Sequence, residues 1–145
     1  MRWVKKKVYV ILLIIIISIY CIFGNPVVQY NNYRLNQSVR KISETEVVLN
    51  EVVPFRWDTV YTFPPYTSRE EIEEIIGFKS NVIKETVNEG MVQLVFVRDD
   101  AVVCSICGYA DSLGYRIEFD DKVEFEDNMV FEIDMQDEII CLRRK

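Results

Sequence analysis

The sequence predicts an α+β protein: an N-terminal transmembrane helix, then a small domain with one main helix packed on an antiparallel β-meander. Three observations predict it. A basic run (Arg2, Lys5, Lys6, Lys7) leads into Val8–Gly24, where Ser18 is the only residue that is not apolar, aromatic, cysteine or glycine. A capped amphipathic helix is written between Ser68 and Gly77. From Met91 onward apolar residues recur at every second position between short polar turns, which is the period of half-buried strands.

The 17 residues Val8–Gly24 reach roughly 25 Å as a helix. That is the short end of what spans a hydrocarbon core of about 30 Å. Trp3 and Tyr20 lie near its two ends, where amphipathic rings favour the interface, and the lysines can snorkel. The positive-inside rule makes it an uncleaved signal-anchor with a cytoplasmic N-terminus. This predicts a single-pass protein of the cell membrane whose C-terminal domain is extracytoplasmic. A cleaved signal peptide stays open, although Ile22-Phe23-Gly24 offers a large residue where cleavage wants a small one. A lipoprotein signal fits poorly with Tyr20 before Cys21. A buried core helix fits poorly because Ile11–Ile17 has no polar stripe.

The domain organisation follows: residues 1–24 are basic region and anchor, 25–46 a polar spacer, and 47–145 the folded domain. Residues 25–43 are rich in Asn, Gln and Ser after Pro26, with apolar residues at no fixed period. They read as a tether, with helical turns near Leu35–Ile42.

In the domain, Trp57–Phe63 predicts a strand with Trp57, Tyr61 and Phe63 on one face, stopped by Pro64-Pro65. Ser68 and Glu71 then form a capping box, with Glu70, Glu71, Glu73 and Glu74 toward the helix N-terminus. Ile72, Ile75 and Ile76 supply the apolar stripe, and Gly77 ends it. Met91–Arg98 and Ala101–Gly108 form a hairpin about Asp99-Asp100. Ala110–Gly114 is a loop. Strands at Tyr115–Phe119, Val123–Glu126, Met129–Met135 and Glu138–Leu142 complete a meander.

Charge and composition exclude more than they assign. Setting aside 24 of the 145 residues leaves 121, enough for one domain. The anchor takes four of the 17 basic residues and none of the 23 acids, so this remainder carries 13 against 23, a net charge of −10. Such a surface repels nucleic acid. The chain has no histidine, which removes Ser-His-Asp and Cys-His catalysis and the commonest metal ligand.

Cys104-Ser-Ile-Cys107 lies in a strand, where odd spacing sends the two thiols to opposite faces. With only Cys141 left in the domain, a structural zinc is incomplete. A disulfide from Cys141 to Cys104 or Cys107 remains open beside packed, reduced thiols. The acids Glu118, Asp120, Asp121, Glu124, Glu126 and Asp127 lack the spacing of a calcium loop and read as the wet face of strands. No metal, cofactor or catalytic residue is expected. The candidate binding residues are Trp57, Asp58, Tyr61 and Tyr66, interleaved with Phe55, Arg56 and Phe63, together with Tyr109 and Tyr115. Aromatic rings and arginine carry interface hot spots; the competing reading places these rings in the core.

The run Pro54-Phe55-Arg56-Trp57-Asp58-Thr59-Val60-Tyr61-Thr62-Phe63-Pro64-Pro65-Tyr66-Thr67, with Ile72, Gly77, Gly90-Met91-Val92, Val102-Val103-Cys104 and Gly108-Tyr109 through Gly114-Tyr115, resembles a group of uncharacterised small membrane-anchored or exported proteins of low-GC Gram-positive bacteria. The resemblance covers roughly Leu49–Phe119. It implies a bacterial source and an extracytoplasmic domain, and it brings no activity. The expected function is a non-enzymatic binding domain, inserted in the membrane by its N-terminal helix and engaging an envelope protein. The alternatives are a small envelope hydrolase using carboxylate, Tyr or Lys groups, and an inhibitor or immunity-type protein acting through its acidic face.

Overall fold

The computed structural model describes residues 2–145, with side chains at 5–20 and 24–145. In chain order the helices and strands are α1 (Arg2–Phe23), α2 (Pro26–Val39), β1 (Glu46–Val48), α3 (Leu49–Val52), β2 (Thr59–Thr62), α4 (Arg69–Ile76), β3 (Met91–Arg98) and β4 (Ala101–Tyr109). There follow α5 (Ala110–Leu113), β5 (Tyr115–Glu118), β6 (Lys122–Glu124), a 3-10 turn (Phe125–Asp127), β7 (Val130–Gln136) and β8 (Ile139–Arg144). The class is α+β, but the strands form two four-stranded sheets, not one meander. Their orders are β1-β7-β8-β5 and β4-β3-β2-β6. The departure lies at β5, which pairs parallel with β8, while β6 crosses to pair with β2 in the other sheet.

Two hairpins hold these sheets in register. The β3–β4 turn is Asp99-Asp100 and the β7–β8 turn is Asp137-Glu138, all four residues at positive φ. Two consecutive left-handed residues match the right-handed twist of the flanking strands. A bulge between Phe96 and Val97 leaves Val103 as the extra residue of β4. As a result Val102 and Cys104, two apart, face opposite sides of the sheet.

The inner faces of the sheets meet in the main core. Val60, Leu94, Phe96, Cys104 and Ile106 come from one sheet, Tyr115, Ile117, Phe131, Ile140 and Leu142 from the other. On the outer face of the β4-β3-β2-β6 sheet, Ile72 and Ile76 of α4 pack on Phe63, Ile83, Val95, Val97 and Val102. Helix α4 is the one predicted from its caps: the Ser68 hydroxyl accepts from the Glu71 N–H, the Glu71 carboxylate accepts from the Ser68 N–H, and Gly77 closes it at φ 88°. β3 is therefore covered on both faces, which explains its continuous apolar run.

The stretch expected to be a spacer is instead helix α2, and it is part of the domain. Asn25 caps it, accepting from the Val27 N–H, and Pro26 occupies its first turn, where a missing N–H costs nothing. Val28, Leu35 and Val39 are buried. Its asparagines also have structural partners. Asn31 donates to the Val103 carbonyl; Asn32 donates to the Ser105 carbonyl and accepts the Ser105 N–H. These bonds satisfy the open edge of β4, a position that otherwise invites unwanted strand pairing.

The transmembrane helix is a correction. Among the described residues, no helix is long and apolar enough to cross a membrane. In α1 the apolar run begins only at Val8, and the 17 residues Val8–Gly24 reach about 25 Å as helix, short of a core of about 30 Å. Three lysines precede it directly. The signal-anchor and the single-pass cell-membrane placement fall with it. The expectations for Trp3, Cys21, Ile22 and Phe23 rest on side chains outside the described residues.

Candidate functional site

The aromatic group expected to form a binding surface is divided among three environments. Trp57 and Tyr115 are buried in the main core. Trp57 precedes β2 instead of belonging to it, so it turns inward, edge-on to Phe96 and Phe125, while Tyr61 stacks on Phe63 beneath α4. The Tyr115 hydroxyl donates to Asn36 Oδ1 at 2.6 Å, and burial pushes this phenol well above its ordinary range, with Cys104 adding to the rise and Arg40 opposing it. Only Tyr66 and Tyr109 remain exposed, and no ring contact joins them.

Asp58 is exposed but structurally engaged. Its carboxylate accepts the Asp99 N–H at 2.9 Å, its own N–H donates to the Val97 carbonyl, and its carbonyl accepts from Phe125. It pins the β3–β4 turn to the segment before β2.

Of the two states left open for the cysteines, the structure has the unpaired one. Cys104, Cys107 and Cys141 are all free thiols. Cys104 faces the inter-sheet core and Cys107 the opposite side of β4. Cys141 lies on the outer face of the other sheet, since Ile140 and Leu142 on either side of it point inward. No pairing of Cys141 with either residue is compatible with these directions. Burial raises all three thiols above their usual range, most strongly Cys104, so none is poised as a thiolate. Among the described residues no cluster of Cys, Asp and Glu is arranged to hold a metal ion.

The acids on the outer face of the β1-β7-β8-β5 sheet do not form a bare negative surface. Arg143 pairs with Glu118 and Asp134, Arg116 with Glu118, and Lys145 with Glu46 and Glu132. This face is a ladder of exposed, mutually neutralised pairs.

Arginine and apolar groups converge beside α2 instead. A shallow depression of about 480 Å³ is lined by Val27, Asn31, Arg34, Val53, Pro54, Phe55, Arg56, Arg98 and Val103. Three elements build it. Pro54 follows the last turn of α3 and holds Val53, the residue before it, extended. Helical spacing carries Val27 and Arg34 to the flank of α2, and Arg98 comes from the end of β3 past its bulge. The floor is fixed by the core: Val53 is buried, and Phe55 stands edge-on to Phe96 at 5.4 Å.

The rim is cationic. Arg56 is exposed and in no ion pair among the described residues. Arg34 lies over the Tyr30 ring at 5.6 Å, and Arg98 Nε meets Asp99 Oδ2 at 3.3 Å on the open surface. No carboxylate lines the depression. Tyr30 and Tyr33 are exposed on the same helix. Sequence reading reached Phe55 and Arg56 through their aromatic neighbours but missed Val27, Tyr30 and Arg34, because the helical period of α2 was hidden by asparagines, and Arg98, because only the fold brings the end of β3 to this flank.

A larger cleft of about 650 Å³ lies on the other flank of α2, walled by Asn32, Asn36, Lys84, Ser105 and Cys107 among others. Its Asn32 and Asn36 groups are already bonded to Ser105 and Tyr115, so it presents fewer free polar groups than its lining suggests.

Comparison with known proteins adds nothing to this geometry: no family model matches the chain, and neither a curated protein nor a solved structure is found similar to it.

Proposed function

We propose that this domain is a non-catalytic protein-binding module that docks its partner on the face formed by α2 and the Pro54–Arg56 segment. The observation that carries the reading is the depression itself: a rigid apolar floor ringed by three guanidinium groups, beside the exposed Tyr30 ring that Arg34 covers. Arg and Tyr are the residues that dominate interface energetics, and they do so when seated around a desolvated centre. The groups whose proton affinity is perturbed do not suggest chemistry. They are two buried thiols, the half-buried Cys107, the buried Tyr115 and a few exposed charges held by local hydrogen bonds, and among the described residues no two of them converge on one concave site as a catalytic pair would.

Selection of peptides from an unbiased displayed library tests the reading. Selected binders should lose at least about tenfold in affinity to Tyr30→Ala or Arg56→Ala domains, as hot-spot truncation does. Binders indifferent to both changes would move the docking face elsewhere.

A further inference from the structure

Resting on the reading of this face as the docking surface, we infer that the partner segment is acidic: an extended stretch whose Glu or Asp side chains meet Arg34, Arg56 and Arg98 while an apolar side chain enters between Val53, Pro54 and Phe55. Charge complementarity argues for it. The whole chain carries net charge −6 with 23 acids, yet this depression gathers three arginines and no carboxylate. On an acidic protein, such a local reversal of sign discriminates between partners more than it adds affinity.

The states of the three guanidinium groups fit the same occupant. Arg56 has no ion pair among the described residues, and Arg34 is engaged only by the Tyr30 ring. Arg98 holds an exposed carboxylate, Asp99, with 81% of the Asp99 side chain open to solvent. A surface pair of that kind is worth little, so an incoming carboxylate exchanges with it at small cost. Planar guanidinium groups bind carboxylates through two parallel N–H donors, and Phe55, held by Phe96, fixes the floor before anything arrives. The volume of about 480 Å³ suits one or two apolar side chains, within the common range of about 300–1,000 Å³ for concave sites. Nucleic acid is a poorer match, because the chain as a whole is acidic, with net charge −6, and repels a polyanion longer than the depression.

Fluorescence anisotropy with three labelled peptides decides the matter. They share one length and one pattern of Phe and Leu, and carry Glu, Gln or Lys at the polar positions; a labelled oligothymidylate is the fourth probe. The Glu peptide should bind at least about tenfold tighter than the Gln peptide, weaken as NaCl is raised, and outcompete the oligothymidylate; the Lys peptide should not bind. Arg34→Gln and Arg56→Gln should each weaken the Glu peptide about two- to fivefold, the worth of one exposed ion pair, and leave the Gln peptide unchanged. Asp99→Asn, which releases Arg98, should strengthen it by a similar factor. Circular dichroism of each variant verifies that it is folded.

Equal binding of the Glu and Gln peptides would overturn acidic selection while leaving the docking face intact. Failure of every peptide would overturn both. Arginine-dependent binding of the oligothymidylate in preference to the Glu peptide would assign the arginines to phosphate recognition and refute the inference.

Discussion

Replacing Asn32 with alanine removes the clamp by which a helix closes the edge of a sheet. Two hydrogen bonds go: Asn32 Nδ2 to the Ser105 carbonyl at 2.9 Å, and the Ser105 N–H to Asn32 Oδ1 at 3.0 Å. At about 1 kcal/mol net per bond, the loss is about 2 kcal/mol if the freed backbone groups stay dry. The cleft along this flank of α2 reaches Ser105, so water replaces part of what is lost, and about 1.5 kcal/mol is the working figure. With a urea slope of about 2 kcal/mol/M, the unfolding midpoint should fall by about 0.7 M. The Ser105 amide should also exchange with deuterium faster in native conditions, relative to other amides of β4. Asn32→Asp should be at least as damaging, because it keeps an acceptor for the N–H but sets a carboxylate against the Ser105 carbonyl. Gln29→Ala, on the solvent side of the same helix, should change stability by less than about 0.5 kcal/mol. An unchanged midpoint and a still-protected Ser105 amide in Asn32→Ala would refute the clamp and leave α2 held by Val28, Leu35 and Val39 with the bonds of Asn31 and Asn36.

Two further outcomes test other parts of the construction. Glu71 is held below its ordinary pKa by accepting from the Ser68 N–H and then from the Ser68 hydroxyl. Its contribution is therefore present above the unfolded glutamate value and lost as pH falls through the lowered folded one. The difference in Tm between wild type and Glu71→Gln should accordingly shrink toward zero in acid; a gap that persists there would refute the charge-based part of the cap. Gly114→Ala should cost about 1–2 kcal/mol in thermal melts, because Gly114 sits at φ +80° where a Cβ is disfavoured. The new Cβ would also lie 3.3 Å from the Arg40 guanidinium. Gly77→Ala, at similar φ with nothing within 4 Å, isolates the backbone share, and an equal loss at both sites would show that Arg40 simply moves aside.

What was legible in the sequence was whatever a local pattern specifies. The Ser68–Gly77 helix carried its own caps, and the Asp99-Asp100 hairpin carried its own turn. The rest depended on partners distant in the chain. Residues 25–43 looked like a tether because asparagine usually marks loops, but Asn31, Asn32 and Asn36 bond to Val103, Ser105 and Tyr115, more than seventy residues away. Alternation alone could not divide the strands between two sheets, since β5 finds its partner in the C-terminal strand through a parallel pairing that no turn announces. The aromatic candidates failed as a group because the strand holding them begins at Thr59. Trp57 therefore escapes the alternation that would have aligned it with Tyr61. The site itself was half legible: Phe55 and Arg56 are neighbours in sequence, whereas Arg34 and Arg98 join them only through the fold.

The fold uses charge in two different ways, and the difference bears on which surface is available to a partner. On the β1-β7-β8-β5 face, Arg116, Arg143 and Lys145 stand among Glu46, Glu118, Glu132 and Asp134 in exposed pairs. Each such pair adds at most about 1 kcal/mol to stability, and together they leave that face close to neutral. A basic partner attracted to this protein by its excess of acid would have to break those pairs before meeting a free carboxylate there. Beside α2 the arrangement is reversed. The nearest carboxylates are occupied at the turn, Asp58 accepting from the Asp99 N–H and Asp99 resting on Arg98, while Arg56 projects unpaired over an apolar floor. A guanidinium left unpaired on an acidic protein gives no stability through ion pairing, and it is on this unpaired charge, beside a floor that the core already holds in place, that the proposed docking face rests.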